Sequence, residues 1–357
     1  MMQGFTDRSL QKFKQHFFGV ASMYFILVIA FVAIFAYVLA PDSSRFANQM
    51  HLSIHSKPPG FKVNMLVQPS TQIESQNYFD KLFFGTKSPN FEWPILSHRF
   101  DGHTVIYQPY NGQESYATSE VLDFSNTERP FVEQRTFYLG TDKYGRDLLS
   151  RILVGSRISF FIGFVAVLIS LIIGITLGSI AGFFGGRADA LIMWIINVTW
   201  SIPTLLLVIA ITLALGKGFW QVFIAVGLTM WVEIARVVRG EVMSVKEQQY
   251  VIAAKALGYS DFRIIFKHIL PNVLAPVIVI SAANFAAAIL IESGLSFLGI
   301  GAQPPMSSWG AMIKSHYNEI ILGKAYLALI PGFCIMILVM AFMLIGNTLR
   351  DIMDVKA

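Results

Sequence analysis

The chain alternates long apolar runs with polar connections, and the run lengths set the expected architecture. Runs fall at 18–40, 158–183, 190–215, 219–237, 273–299 and 325–346. Each is close to or above the roughly 20 residues that cross a bilayer core as a helix. Six transmembrane helices are therefore predicted. Between the first two, residues 41–138 turn polar and change period: Phe61 to Val67 and His103 to Pro109 alternate as strands do. Pro58-Pro59-Gly60, Asp101-Gly102 and Asn111-Gly112 supply turns around them. Phe79, Phe83, Phe84, Phe91 and Trp93 are more aromatics than a disordered segment carries. The expected fold class is an all-α polytopic membrane protein with a small β-rich, extracytoplasmic insertion between helices 1 and 2.

Composition agrees with that pattern. Hydrophobic residues make up 54% of the chain and charged residues 14%, against about 25% charged in soluble domains. A net charge of +5 would suit a nucleic-acid partner, but its placement argues for topology instead. Twelve of 27 Lys and Arg lie in 1–17, 184–189, 236–271 and 347–357, and only Lys217, Lys314 and Lys324 lie in the short connections of the other side. The positive-inside rule then puts both termini in the cytoplasm and leaves no nucleic-acid role. The first run is too long for a signal-peptide core, and Pro41 would follow its cleavage site, so it is read as a retained helix. The expected organisation is a cytoplasmic N-terminus 1–17, helix 1 at 18–40, the insertion 41–138, an interfacial segment 139–157, a helical core 158–346 and a cytoplasmic C-terminus 347–357. Cys334 is the one cysteine, so no disulfide forms within the chain.

Within the core, Gly174, Gly178, Gly182 and Gly186 repeat every four residues and leave one helix face bare, as close helix packing requires. Pro203 and Pro276 remove backbone donors and predict kinks. Glu292 is a carboxylate in an apolar run, which is costly unless it meets a partner or a cavity, and it is read either as lining a pathway or as a hydrogen-bonded, helix-stabilising residue. Arg236, Arg239 and Glu241 read as an interfacial anchor. His51 and His55 have a helical metal-pair spacing but no third ligand, so no metal is expected.

The stretch from Tyr250 to Asn272 is amphipathic, basic and broken by glycine, and it lies inside the expected cytoplasmic segment 238–271. Gln248 to Leu257 predicts a short helix that Gly258 stops, and Ser260 with Asp261 predicts the cap of a second helix that Pro271 ends. Small residues Ala253, Ala254 and Ala256 would let a partner approach closely.

Three blocks give the chain a resemblance. Residues 250–272 resemble the cytoplasmic "EAA" loop of the permease subunits of binding-protein-dependent ABC importers, with Ala253, Ala254, Gly258 and Leu270-Pro271 in place and Ile252 where the motif has glutamate. The block Leu139-Gly140-Thr141-Asp142-Lys143-Tyr144-Gly145-Arg146-Asp147-Leu148-Leu149-Ser150-Arg151 is similar to a signature of the family's peptide and nickel branch. So is Glu292 to Gly310, and the closing Leu349 to Asp354 adds to the likeness. What the resemblance implies is a type I importer permease fold, a second homologous permease subunit, two ATP-binding subunits, an extracytoplasmic substrate-binding protein and a peptide substrate. In that picture Tyr250, Ile252, Ala253, Ala254, Leu257, Gly258, Ser260, Asp261 and Pro271 form the ATPase-docking coupling loop, and ATP and Mg sit on the partner ATPases.

The chain has no phosphate-binding loop, since Gly216-Lys217-Gly218 lacks the spacing and the hydroxyl residue, and no nucleophile elbow or His-Glu-x-x-His. It is read as a non-enzymatic permease without a cofactor of its own. Asp142, Arg146 and Asp147 are expected in a solvated interfacial turn with weak local ion pairs. The alternatives are a nickel or other small-solute importer, an ion-gradient-driven transporter, which would need more intramembrane ionisable residues than Glu292, and a non-transporting membrane scaffold.

Overall fold

The computed structural model describes residues 11–70, 77–87, 90–112, 118–216 and 218–353. Arg8, Lys217, Asp354 and Lys356 lie outside the described residues, and with them parts of the expected terminal segments. Two compact units divide the chain: Met1–Ile29 with Ser159–Gln303 and Phe333–Ala357, and Ala30–Ile158 with Pro304–Gly332.

Among the described residues, five helices are long and apolar enough to cross a membrane. They are α1 (Phe17–Ile34), α3 (Leu148–Phe184), α6 (Phe219–Lys246), α8 (Leu270–Leu298, which the preceding turns extend back to Asp261) and α10 (Tyr326–Met353), the last preceded by the short α9 (Trp309–His316). A sixth expected span divides into α4 (Gly186–Trp200) and α5 (Thr204–Leu215), bent by 92°. The kink expected at Pro203 is thus a full break. Ile202, which precedes a proline, is steered away from the helical region, and Pro203 itself is extended, with ψ at 124°. Helix α3 also starts ten residues before the expected 158, so most of the segment read as interfacial is helical. Pro276 is accommodated inside α8.

Glycine sets the helix packing. A Cβ on Gly174 would lie 2.7 Å from Ile234, on Gly178 2.6 Å from the Ala235 carbonyl oxygen, and on Gly182 2.8 Å from that of Arg239. From α6, Gly227 answers against Ile169 at 2.7 Å. These pairs rise together in sequence number, so α3 and α6 run parallel. The chain must then cross back between them, and the broken α4–α5 segment is what carries it. Gly186 does not belong to this face: it lies beyond the end of α3 at φ +54°, with nothing near its missing side chain. At the other edge, Phe285 of α8 stacks on Phe342 of α10 at 3.9 Å, and Gly346 faces Ala282 one turn along.

The insertion folds as a five-stranded antiparallel sheet in the order β4-β3-β2-β1-β5. The strands are β1 (Phe61–Gln68), β2 (Phe91–Asp101), β3 (Thr104–Pro109), β4 (Glu120–Asp123) and β5 (Phe131–Phe137), with the short helix α2 (Tyr78–Phe84) ahead of β2. Alternation along β1 sends Val63, Met65 and Val67 to a cluster with Ile54 and Phe137, and Leu66 to one with Ile95, Val105 and Phe124. Both faces of β1 are therefore covered.

Candidate functional site

The 250–272 stretch builds a compact element at the end of α6. Helix α7 (Gln249–Ala256) closes in a Schellman motif: Gly258 N–H reaches Lys255 O at 3.0 Å and Tyr259 N–H reaches Ala254 O at 3.2 Å. Gly258 sits at φ +77° with nothing near its absent Cβ, so backbone conformation alone calls for glycine there. Val251 and Ala254 face inward onto Val238 and Val242 of α6 and onto Ile264 and Ile269. Ala254 is therefore part of the chain's own core and gives a partner no surface, contrary to the expectation of a small-residue knob. Tyr250, Ile252, Ala253, Gly258, Ser260 and Asp261 are exposed, and Leu257 and Phe262 are each 74% exposed.

The second half departs from expectation in two ways. Ser260 makes no side-chain cap hydrogen bond, and Pro271 ends nothing. Asp261–Ile264 passes through a π turn, Ile265–Ile269, straight into α8. Pro271 is the second residue of α8, directly after the π turn, where Leu270 N–H already reaches back five residues to Ile265 O. Asn272 Nδ2 donates to the Tyr250 hydroxyl at 3.0 Å and ties the start of α7 to that of α8. Beside α7, Phe183, Lys246, Glu247, Ile252 and Lys255 border a cleft of about 260 Å³.

A larger cleft of about 330 Å³ opens among α6, α8 and α10, lined by Glu233, Val237, Pro276, Ile280, Asn347 and Arg350 among others. Glu233 is half-way along the 28-residue α6 and exposed. The sequence offered a signal, a lone carboxylate between Trp231-Val232 and Ile234, yet Glu292 drew the attention. Glu292 is fully buried: its Oε1 accepts from Ser296 Oγ at 2.7 Å, and Ser296 Oγ accepts from Ala302 N–H at 3.0 Å. That knot joins the end of α8 to the following loop and is a packing feature. On α6, Arg239 forms a two-point ion pair with Asp189 at 2.5 and 2.7 Å, and the Arg236 guanidinium lies 3.7 Å from the Trp200 ring.

The 140–147 signature is a buried polar knot, where a solvated turn was expected. Asp142 is fully buried; its Oδ1 accepts the N–H groups of Tyr144 at 2.8 Å and Arg146 at 3.0 Å, and its Oδ2 accepts Arg146 Nε at 2.7 Å. Arg151 Nε and His316 Nε2 stand 3.7 and 3.8 Å from the same oxygen. Thr141 Oγ1 accepts Lys57 N–H at 2.9 Å and donates to Ile54 O. Gly140 and Gly145 have positive φ, and a Cβ on them would strike Lys57 O at 2.3 Å and His51 O at 1.8 Å. The glycines thus let the knot close on the 51–57 turn. Burial raises the Asp147 carboxyl above its ordinary value, against two hydrogen bonds from Ser150. Burial likewise lowers His316, which Asp142 opposes. His51 faces Glu92 at 3.7 Å. Burial pushes Glu92 up, but His51 and Arg135 outweigh it and hold the carboxyl low. Among the described residues no three His, Cys, Asp or Glu gather as a metal site.

Among the described residues, five long apolar helices and a broken sixth segment mark a multi-pass membrane protein, with an exposed element at the end of α6. The chain belongs to the family of binding-protein-dependent transport system inner membrane components, whose model matches residues 174–356. A second model, the N-terminal transmembrane domain of oligopeptide transport permease C, matches residues 4–59. The chain is 38% identical to the oligopeptide transport system permease protein OppC of Bacillus subtilis over 71% of this chain and 81% of that one. It is 42% identical to the dipeptide transport system permease protein DppC of Alkalihalophilus pseudofirmus, again over 71% and 81%. A third relative, the di/tripeptide transport system permease protein DppC of Pseudomonas aeruginosa, is 40% identical over 70% and 80%. Residues 60–173, which hold the whole sheet, lie between the two matched ranges.

Proposed function

We propose that this chain is one of two permease subunits of an ATP-driven importer for oligopeptides or dipeptides. It forms half of the path and pairs with a second homologous permease, two cytoplasmic ATP-binding subunits that carry ATP and Mg, and an extracytoplasmic substrate-binding protein. The observation that carries the reading is the element at 249–272. It presents Tyr250 and Ile252 outward on a Schellman-closed helix whose other face is locked onto α6, with exposed Leu257 at its end and Phe262 in the turn that follows, in a chain whose relatives are named as peptide permeases. An exposed apolar surface of this kind suits a groove on an ATPase. Glu233 supports a path alongside it. A carboxylate on a membrane helix is expensive against lipid and sits best in a hydrated cleft, where it would attract a substrate ammonium group.

In this reading both termini and the 238–271 segment are cytoplasmic, and the sheet is on the other side. The test is uptake of a labelled dipeptide into vesicles that hold the chain with its co-purifying subunits. Uptake should require ATP, and Gly258→Val, which forces a β-branched residue into φ +77°, should abolish it while the complex still assembles. ATP-independent uptake, or full ATP coupling in the Gly258 variant, would refute the proposal.

A further inference from the structure

Helix α2 has no role in anything described so far, and its side chains are distributed the wrong way round for a water-facing helix. Its sequence is Tyr-Phe-Asp-Lys-Leu-Phe-Phe, and Leu82 alone is turned into the protein. Tyr78, Phe79, Phe83 and Phe84 are 70%, 68%, 45% and 56% exposed. Phe79 and Phe83, four residues apart, share one face. Four bare aromatics on two turns of helix form an apolar patch that water does not favour.

The attachment of α2 fixes where these rings lie along the chain's membrane segments. It packs against the Ala36–Leu39 turn, where the chain leaves its first span. Its last carbonyls, Leu82 O and Phe83 O, accept from the Arg157 guanidinium at 3.4 and 2.9 Å, and Arg157 belongs to the opening turns of α3. That guanidinium also lies 4.5 Å from the centre of the Tyr37 ring. The following residue, Gly85, takes φ +72° and fits closely between Ser43 O, Arg45 and Tyr37, while Thr86 N–H bonds Ser43 O at 2.9 Å. The helix is therefore fastened at the level where two membrane segments begin and end. Next to it, Val38 and Leu39 are themselves exposed apolar residues, which continue the patch onto the first span.

We propose that α2 is an interfacial helix whose aromatic face lies in the headgroup and upper acyl region of the bilayer, on the side where the insertion leaves the membrane. Aromatic rings favour that zone because their apolar bodies leave water while dipolar edges stay near polar headgroups. Exposed Lys81 and partly buried Arg157 are placed to meet lipid phosphate. The insertion is thereby held against the membrane at its edge, by a contact that needs no protein partner.

Because Cys334 is the one cysteine, a Cys334→Ser background allows single nitroxide labels at Phe79→Cys, Phe83→Cys and, for comparison, Ser119→Cys. The full chain with its co-purifying subunits is reconstituted into phosphatidylethanolamine and phosphatidylglycerol bilayers, and collision rates with oxygen and with a water-soluble nickel chelate are compared. Oxygen should dominate at both aromatic positions, and the nickel chelate at Ser119. Two labels on one face keep the test open if either variant misfolds. Nickel access at Phe79 and Phe83 equal to that at Ser119 would overturn the proposal by showing a patch in water. Protection from both reagents would overturn it in favour of a protein surface.

Discussion

Removing the Asp142 carboxylate should show how much of the fold rests on the buried knot. In Asp142→Ala the Arg146 guanidinium loses its 2.7 and 2.6 Å contacts, and the N–H groups of Tyr144 and Arg146 lose their acceptor. Arg146 and Arg151 are both buried, so two cations are left without the carboxylate between them. Hydrogen bonds to a charged group contribute about 1.5–3 kcal/mol each. Stranding a buried ion costs about 3–5 kcal/mol, which sets the expected loss. At the lower end of the usual range, about 2 °C per kcal/mol for long chains, the apparent Tm in detergent should fall by about 6–10 °C. Asp142→Asn keeps an acceptor for the two N–H groups and should fall between alanine and wild type. The decisive measurement is the double-mutant cycle. Asp142→Ala with Arg146→Ala should cost clearly less than the sum of the single changes, because only Arg151 then remains stranded. Strict additivity, or an Asp142→Ala melting point equal to wild type, would refute the coupling.

Three further outcomes follow from other parts of the molecule. Gly178→Leu should prevent α3 from reaching α6, since even a Cβ would stand 2.6 Å from the Ala235 carbonyl oxygen; loss of the monodisperse peak in size-exclusion chromatography is expected, and a normal profile would count against the packing. His316 titrates below its ordinary 6.5 because it is buried, so the unfolded chain takes up the proton first. Its contribution is full above pH 6.5 and declines as pH falls toward the folded value, at most about 1.4 kcal/mol per pH unit, and His316→Asn should flatten that slope in melts from pH 5 to 7. Single cysteines at Ala253 and Ser119 in the Cys334→Ser background should react with a membrane-impermeant maleimide from opposite sides, and same-side labelling would contradict the proposed orientation.

The spans were legible because a bilayer imposes a length that chance rarely matches, and β1 and β3 were legible because period-two alternation survives in a short segment. Gly258 was legible too, since a positive-φ stop leaves few residue choices. What escaped notice depended on contacts far along the chain. Asp142 reads as a surface charge until Asn48, Arg151 and His316 are brought around Arg146 and the carboxylate. Ala254 reads as surface until Val238 and Val242 meet it. Pro271 reads as a terminator because a proline's effect depends on which turn of a helix it enters, and the π turn before it leaves no trace in hydrophobic periodicity. Gly186 kept the four-residue spacing after the helix had already ended.

The π turn at Ile265–Ile269 has a mechanical meaning. It joins the exposed Phe262 to α8 without a joint, so Asp261–Leu298 is one 38-residue rod, about 57 Å long at 1.5 Å per residue. Upstream of the rod the chain turns at Gly258, at φ +77°. Under the proposed docking, a load applied to Phe262 would be delivered along the whole rod as tilt or twist, and the Glu292–Ser296 knot near its far end would hand that motion to the next loop. The one-residue surplus of the turn also sets the angular phase between the two ends, as the throw of a crankshaft does, so deleting a single residue from 265–269 would re-aim Phe262 by about a quarter turn while leaving the bundle packed.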